Sequence, residues 1–179
     1  MFSTKNSLLL IIDIQEKLTP LIHENNRLID HVQRLIKASQ LLDIPVIVTE
    51  QVPQKIGHTI VEISKLSPQS VAIEKQSFSC FGETRFRSAL AASKRRQIIV
   101  CGIETHVCVY QTVADLIQNK YQVQVVADAV SARHELDHTI ALKRIEQAGA
   151  MLATAEMIIC ELTQSATHEK FREIIQLIK

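Results

Sequence analysis

The sequence has 179 residues, 46% of them hydrophobic, which suits one domain with a sizeable core. Lys and Arg total 20 against 19 Asp and Glu, so the charge balance argues against recruitment of nucleic acid or of an anionic membrane. Aromatic residues amount to 4% and Trp is absent, which argues against a stacking platform for single-stranded nucleic acid.

The first predicted strand is a continuous apolar run, Ser7 to Ile12, that ends at Asp13. Continuity rather than alternation is typical of a strand buried on both faces. The run is too short for a signal segment or a membrane span, so we expect a cytoplasmic protein. In that reducing compartment the cysteines are expected to be free thiols, and none forms a C-x-x-C pair. They are Cys80, Cys101, Cys108 and Cys160.

Short apolar strands and helical patterns alternate along the rest of the chain. Further strands are predicted at residues 46–48, 71–74, 97–101, 122–127 and 150–154. Helices are predicted at residues 27–42, 83–92, from about 106 onward, 136–147 and 171–178. Residues 52–69 are irregular and read as a long surface excursion, and a tight turn is expected at Gly102. This alternation predicts a single α/β domain over residues 1–179, a three-layer sandwich with a mainly parallel sheet.

The scarcity of glycine limits cofactor binding. The chain has four glycines and no close cluster of them, whereas dinucleotide fingerprints and phosphate loops need closely spaced glycines. We therefore expect no nucleotide cofactor.

Polar residues suited to chemistry collect where the predicted strands end. Asp13 ends the first strand, Glu50 follows the second, Lys75 the third, and Cys108 comes after the fourth. Ligands of parallel α/β sheets bind beyond the carboxyl ends of the strands. The basic run 93–96 is explained by its place at a helix C-terminus, where positive charge is favourable.

Cys108 is a candidate nucleophile, with Asp13 and Lys75 as its partners. It falls in the first turn of a predicted helix, where free N–H groups and the helix dipole favour a thiolate. Asp13, flanked by apolar neighbours that raise its pKa, would take the thiol proton and pass it to a leaving group. Lys75 would supply a fixed positive charge. The alternatives are a packing cysteine, a capping aspartate and a solvated lysine, each common when taken singly.

The motifs resemble the isochorismatase-like cysteine hydrolase superfamily, in the subgroup of isochorismatase domain-containing proteins, over nearly the whole chain. They are IIDIQEKL (11–18), PVIVTEQVPQKIG (45–57), EKQSFSCF (74–81), CGIETHVCVYQTVADL (101–116) and VVADAVSAR (125–133). The resemblance implies a Rossmann-like six-stranded sheet of order 3-2-1-4-5-6. It also implies an Asp13–Lys75–Cys108 triad that forms a thioester, later hydrolysed by water.

The resemblance further implies a non-proline cis peptide bond between Ile103 and Glu104. With Thr105 and Cys108, this segment is expected to orient backbone N–H groups towards an oxyanion. The substrate is then expected to be a small molecule with an amide or related C–N bond. Members of the superfamily usually form dimers or larger assemblies, which implies a homo-oligomer.

Departures from related families bear on metal and substrate. Nicotinamidases of the superfamily carry an Asp-x-His metal motif where this chain has Glu50, Gln51 and Val52, and His58 nearby is a lone histidine. No catalytic metal is therefore expected, and nicotinamide is not the expected substrate. The namesake isochorismatases lack the cysteine nucleophile, so their activity is not expected either.

The sequence identifies side chains that could line a substrate site less clearly than it identifies the candidate catalytic residues. Gln15 and Gln51 are candidates for polar contacts with a substrate, and Phe78 and Phe81 for the walls of the pocket, with packing as the default for each. His106 is expected to be structural or at an interface. Cys101 is expected to be buried and inert, and a redox role for Cys80 stays open.

Two other readings of the whole chain remain. One is a non-catalytic protein that uses this fold for binding or oligomer assembly. The other is a redox sensor in which Cys108 forms a sulfenic acid without dependence on the triad.

Overall fold

A parallel sheet organises the computed structural model, which describes residues 1–68, 70 and 72–179. The strands found in these residues are β1 (Ser7–Ile12), β2 (Val46–Gln51), β3 (Ile73–Lys75), β4 (Gln97–Ile103), β5 (Gln122–Ser131) and β6 (Met151–Ala153). Their spatial order is β3-β2-β1-β4-β5-β6, and all neighbouring pairs are parallel. This confirms the order that the family resemblance implied.

Helices cover both faces of the sheet. They are α1 (Asn25–Leu41), α2 (Pro53–Ile56), α3 (Val61–Ser64), α4 (Thr84–Ser93), α5 (Tyr110–Gln118), α6 (Glu135–Gln147), α7 (Ala155–Thr163) and α8 (Phe171–Leu177). Short 3₁₀ turns lie at Thr19–Leu21 and Cys80–Gly82, and a π-helical turn lies at Thr105–Val109. Within the described ranges, no helix has the length and apolarity needed to cross a membrane.

The apolar run of β1 is divided between two cores. Leu9 and Ile11 pack in a cluster with residues of α1, α7 and α8, whereas Leu8, Leu10 and Ile12 pack with residues of α4, α5 and α6. Side chains alternate across a strand, so a central strand needs apolar residues at every position. The result is a three-layer α/β/α arrangement with β1 and β4 side by side at its centre.

Several elements differ from the sequence prediction at their ends. β2, β4 and β5 each run farther towards the carboxyl edge than predicted, and α7 was not predicted. The irregular stretch after β2 contains the short helices α2 and α3. Two predicted boundaries, Gln69 for that stretch and Val71 for the third strand, lie outside the described residues.

The expected turn at Gly102 was wrong. Gly102 lies inside β4 with φ of +121°, and the register of β4 against β5 shifts between Val100 and Gly102. A Cβ atom at this position would collide with the backbone carbonyl oxygen of Ile12. Glycine is therefore needed for the close approach of β1 and β4 and for a bulge, not for a turn.

Candidate active site

Asp13, Lys75 and Cys108 meet at the carboxyl edge of the sheet. Asp13 directly follows β1 and has φ of +53°, Lys75 is the last residue of β3, and Cys108 lies in the π-helical turn after β4. They are 0%, 2% and 7% exposed. Such burial excludes a solvated lysine, because a lysine is almost never so buried without partners.

Lys75 and Asp13 form a buried ion pair of unusual geometry. Lys75 Nζ lies 2.7 Å from Asp13 Oδ2, but it donates hydrogen bonds to three other oxygens. These are Gln51 Oε1 at 2.6 Å, Phe78 O at 3.0 Å and Ser77 O at 3.2 Å. An ammonium group has three protons. The contact between Lys75 Nζ and Asp13 Oδ2 is therefore mainly an ion pair, and by bond angle Oδ2 has no hydrogen-bond donor among the described residues.

The other carboxylate oxygen of Asp13 is occupied. Thr49 Oγ1, fully buried in β2, donates a hydrogen bond to Asp13 Oδ1 at 2.8 Å. Burial raises the pKa of Asp13 above its ordinary value, and Lys75 and Thr49 only partly offset this. The raised pKa agrees with the sequence prediction. Burial acts to lower the pKa of Lys75, but the negative charge of Asp13 reverses the direction and the pKa is raised.

Cys108 rests as a thiol in this site. Burial raises the pKa of Cys108 strongly, the charge of Asp13 raises it further, and that of Lys75 only partly opposes them. The sequence-based expectation of a resting thiolate at a helix N-terminus is therefore corrected. The turn that carries Cys108 is π-helical and closed over by the apolar cluster of α4 and α5, so burial outweighs the dipole.

The turn that carries Cys108 is held from its first residue. The Ile103–Glu104 peptide bond is cis, as the family resemblance implied. Glu104 O accepts from the N–H groups of Val107 at 3.0 Å and Val109 at 3.3 Å. Glu104 Oε2 accepts from both the backbone N and Nε of Arg133, each at 3.1 Å. These contacts tie the end of β4 and the start of the turn to the segment after β5.

Further contacts of this turn involve histidines. Thr105 Oγ1 lies 3.0 Å from His138 Nδ1 of α6. Burial lowers the pKa of His138, as do the nearby charges of Arg27 and His23, so the ring is neutral near pH 7. The roles of Arg133 and His138 were not predicted, because neither lies at the end of a predicted strand.

The side-chain amides of the two glutamines expected near a substrate form hydrogen bonds within the protein. Gln15 Oε1 accepts from Gln51 N at 2.7 Å, and Gln15 Nε2 donates to Gln51 O at 3.0 Å and to Gly57 O at 2.6 Å. Gln51 Nε2 donates to Gln76 O at 2.7 Å, and Gln51 Oε1 lies 4.0 Å from Cys108 Sγ. Gln51 thus lies beside the nucleophile candidate, whereas the amide of Gln15 fastens the end of β2.

The two phenylalanines differ in their surroundings. Phe78 is 55% exposed and reaches the site through its carbonyl oxygen, which accepts from Lys75. Phe81 is half-buried and packs edge-on against Phe86, with ring centroids 5.5 Å apart. A cavity of about 460 Å³ opens beside the end of β3, and Lys75 and Val52 are among its lining residues.

Glu50 forms a separate cluster from the triad. Its Oε1 accepts from the backbone N and Oγ1 of Thr59, both at 2.7 Å, and its Oε2 lies 3.1 Å from His58 Nδ1. Burial raises the pKa of Glu50, but these hydrogen bonds outweigh it and the pKa is lowered. Across the described ranges, no group of three or more His, Cys, Asp or Glu side chains is placed to hold a metal ion.

The remaining cysteines are distinguished by their burial. Cys80 and Cys101 are fully buried, and burial raises the pKa of Cys80 to about 12. Cys80 Sγ lies 3.9 Å from Thr49 Oγ1, so it belongs to the surroundings of Asp13. Cys160 is exposed on α7.

Comparisons with known proteins identify the family of this chain. The sequence profile of the Isochorismatase domain matches residues 7–157. The isochorismatase domain-containing protein 2 of Danio rerio is 39% identical over 178 residues, covering 98% of this chain and 88% of that protein.

Solved structures extend the similarity to nearly the whole fold. A structure described as the MAR1 ribonuclease of Caenorhabditis elegans is 39% identical, with a TM-score of 0.94, and covers 99% of this chain and 91% of its own. The YcaC gene product of Escherichia coli, described as an octameric hydrolase of unknown specificity, is 25% identical with a TM-score of 0.90. That alignment covers 99% of this chain and 86% of the other.

Proposed function

Because this chain belongs to the isochorismatase family, with the fold of a hydrolase, we propose that it is a cysteine-dependent hydrolase of a small molecule. The bond cleaved is an amide or related C–N bond. Cys108 is the nucleophile, Asp13 the general acid and base, and Lys75 the electrostatic stabiliser. The observation that carries the proposal is the buried carboxylate of Asp13, which lies beside Cys108 and whose Oδ2 is 2.7 Å from Lys75 Nζ with no hydrogen-bond donor among the described residues.

Acylation begins with a neutral thiol. As Cys108 Sγ attacks the substrate carbonyl carbon, its proton passes to Asp13 Oδ2, the carboxylate oxygen without a hydrogen bond. Lys75 stabilises the charges present during this transfer. The C–N bond then breaks, and Asp13 returns the proton to the departing nitrogen. An acyl-thioester on Cys108 and a free amine result.

Deacylation uses the same groups in reverse. Asp13 takes a proton from a water molecule as the water oxygen attacks the thioester carbon. The bond between that carbon and Cys108 Sγ then breaks, and Asp13 returns the proton to the sulfur. The products are a carboxylic acid and the restored thiol. Through both steps, the N–H groups of Thr105 and Cys108 are suited to receive the oxyanion, since the first N–H groups of a helical turn lack internal partners. The N–H of Val107 is already bound to Glu104 O.

The proposal includes no metal and no cofactor. Asp13, Lys75 and Gln51 are among the side chains near Cys108, and they provide the base, the positive charge and a polar wall. We further propose that the chain forms a homo-oligomer, as the octameric YcaC structure supports, and light scattering of the purified protein tests this.

Trapping of the acyl-enzyme tests the proposal. Wild type and Cys108→Ala are each incubated with a panel of small amides and with p-nitrophenyl acetate. The intact mass of each protein is then measured, and peptide mapping locates any adduct. We expect an acyl adduct on Cys108 that disappears with time, and turnover that is lost in Cys108→Ala. Turnover that is equal in the two proteins, without an adduct, would contradict the proposal and favour a binding or assembly protein.

Leaving-group dependence tests the role of Asp13. A p-nitroanilide needs a proton on its leaving nitrogen, whereas p-nitrophenolate leaves unprotonated. Asp13→Asn should therefore slow the anilide by about 100-fold or more relative to the ester, the usual range for general acid catalysis. If Asp13→Asn lowered the rates of anilide and ester hydrolysis equally, Asp13 would not be the general acid.

Cleavage of RNA is the second candidate function. It is favoured by the 39% identity with the structure described as a MAR1 ribonuclease, and disfavoured by the balanced charge and by the burial of Cys108. Incubation of labelled single-stranded RNA with wild type and Cys108→Ala separates the two. Cleavage that depends on Cys108 would favour the second candidate.

A further inference from the structure

We propose that Thr49 is the positioning residue of the triad: its hydroxyl occupies Asp13 Oδ1 and so leaves Oδ2 as the oxygen that exchanges protons with Cys108. The inference rests on the proposed function insofar as it concerns proton exchange. Thr49 itself touches neither the substrate nor the sulfur in this scheme and acts through Asp13.

The first support is the division of contacts between the two carboxylate oxygens. Thr49 Oγ1 donates to Oδ1 at 2.8 Å, while Lys75 lies 2.7 Å from Oδ2 and directs its hydrogen bonds elsewhere. The ion pair with Lys75 depends less on direction than a hydrogen bond does, so it fixes the orientation of the carboxylate less firmly. The hydrogen bond from Thr49 is directional and completes that orientation.

The second support is the fixed direction of the Thr49 hydroxyl. Cys80 Sγ, 3.9 Å away, is placed to donate a weak hydrogen bond to Thr49 Oγ1. Burial raises the pKa of Cys80 to about 12, so Cys80 keeps its proton across the neutral range. With Cys80 as a donor, Thr49 must act as the donor towards Asp13, and the two bonds run in one direction.

The third support is the backbone around Asp13. Asp13 leaves β1 with φ of +53°, and its N–H donates to the carbonyl oxygen of Thr49 at 3.2 Å. Thr49 therefore holds Asp13 by both backbone and side chain. The titratable groups that face the Asp13 carboxylate are Lys75 of β3, Cys108 of the π-helical turn and Cys80 of the 3₁₀ turn.

The test compares Thr49→Val, Thr49→Ser and a matched control. Valine has the shape of threonine without its hydroxyl, and serine retains the hydroxyl. Thr112→Val is the control, because Thr112 is also fully buried and contacts Cys80 through Oγ1, which accepts from Cys80 N at 3.0 Å. Thermal unfolding verifies that each variant is folded, and Thr49→Ala replaces Thr49→Val if valine prevents folding.

Titration of the Asp13 carboxyl carbon by NMR is the first readout and does not depend on any substrate. The hydrogen bond from Thr49 lowers the pKa of Asp13, so its loss should move the midpoint upward by about 1 pH unit, the size typical of a hydrogen bond to a charged group. Thr49→Ser and Thr112→Val should keep the wild-type midpoint. An unchanged midpoint in Thr49→Val would overturn the inference.

The rate of acylation by p-nitrophenyl acetate against pH is the second readout. In Thr49→Val we expect the plateau of the acylation rate to be about tenfold lower than in wild type. The rise of the rate with pH should also be shifted to higher pH, by the same amount as the NMR midpoint. Thr49→Ser should restore both the plateau and the position of the rise. A wild-type profile in Thr49→Val would overturn the positioning role. If wild type forms no acyl-enzyme while the NMR midpoint still moves in Thr49→Val, the proposed function fails and the Thr49–Asp13 relationship stands.

Discussion

Lys75 Nζ lies 2.7 Å from Asp13 Oδ2, yet it directs its hydrogen bonds to Gln51 and to two backbone carbonyl oxygens. The ammonium group is thus anchored by the loop after β3, and its charge is held beside the carboxylate without capping it. This arrangement compensates the buried charge of Asp13.

Removal of Lys75 should destabilise the protein strongly at neutral pH. Lys75→Met leaves Asp13 as a buried charge without a counterion, which costs about 3–5 kcal/mol in comparable cases. Urea unfolding measures the loss, and the double variant Asp13→Asn/Lys75→Met should recover most of it. Arg27→Ala, which breaks the exposed pair with Glu24, is the control and should cost less than about 1 kcal/mol. Similar losses for the two pairs would contradict this account.

Replacement of Gly102 by alanine should cost more than the same change at Gly149. Both glycines have positive φ, +121° and +103°, which costs a residue with a Cβ about 1–2 kcal/mol. At Gly149 the nearest atom to the added carbon is Ile117 Cγ2 at 3.9 Å, whereas at Gly102 it collides with backbone of Ile12. Chemical denaturation of both variants gives the comparison. A cost at Gly102 no larger than at Gly149 would show that the close approach of β1 and β4 is not needed.

Glu50 should make stability depend on pH on the acid side. Its pKa is held below the usual 4.5 in the folded protein, so its contribution is present above 4.5 and is lost as the pH falls through the lower folded value. The free energy of unfolding of wild type should therefore exceed that of Glu50→Gln at pH 6 to 7, and the two should converge below about pH 4. A constant difference over this range would count against the pKa shift.

His58 should make stability depend on pH around neutrality. The hydrogen bond with Glu50 raises the pKa of His58 above 6.5, so its contribution is complete below 6.5 and disappears as the pH rises through the folded value. The difference between wild type and His58→Gln should shrink between about pH 6 and 8. Because His58 is exposed, we expect a small and salt-sensitive effect, and unfolding at two salt concentrations measures it.

Alkylation by iodoacetamide should rank the four thiols by exposure. Exposed Cys160 should react first, Cys108 more slowly and increasingly with pH, and Cys80 and Cys101 only after unfolding. Lys75→Met should slow alkylation of Cys108, because the charge of Lys75 lowers the pKa of the thiol. Peptide mass spectrometry at several pH values reads all four sites. Alkylation of Cys108 that is faster than that of Cys160 and independent of pH would contradict the resting thiol described for this site.

The sheet and the polar ends of its strands were predictable because they depend on local patterns. The apolar run before Asp13 and the position of Lys75 follow from burial on both faces of parallel strands. Helix α7 was missed because Thr154, whose Oγ1 caps it by accepting from Met157 N at 3.3 Å, was taken as the end of a strand.

The titration behaviour of the site depends on contacts that no local pattern contains. The thiol state of Cys108 is set by burial under helices distant in sequence, and the sequence reading weighed only its helix terminus. Thr49 was overlooked since a single threonine in a β-branched strand is ordinary. Its distinguishing feature, the hydrogen bond to Asp13, joins residues 36 positions apart.

The side-chain amide of Gln15 forms the hydrogen bonds that a backbone peptide group of a neighbouring strand would form. It pairs with both the N–H and the carbonyl of Gln51, as a neighbouring strand would, although the backbone of β1 has already turned away at Asp13. The ladder between the two strands is thereby prolonged by one rung made from a side chain. Asparagine, one methylene shorter, would not reach both groups of Gln51, so the length of the glutamine side chain is what allows this extra pair of hydrogen bonds.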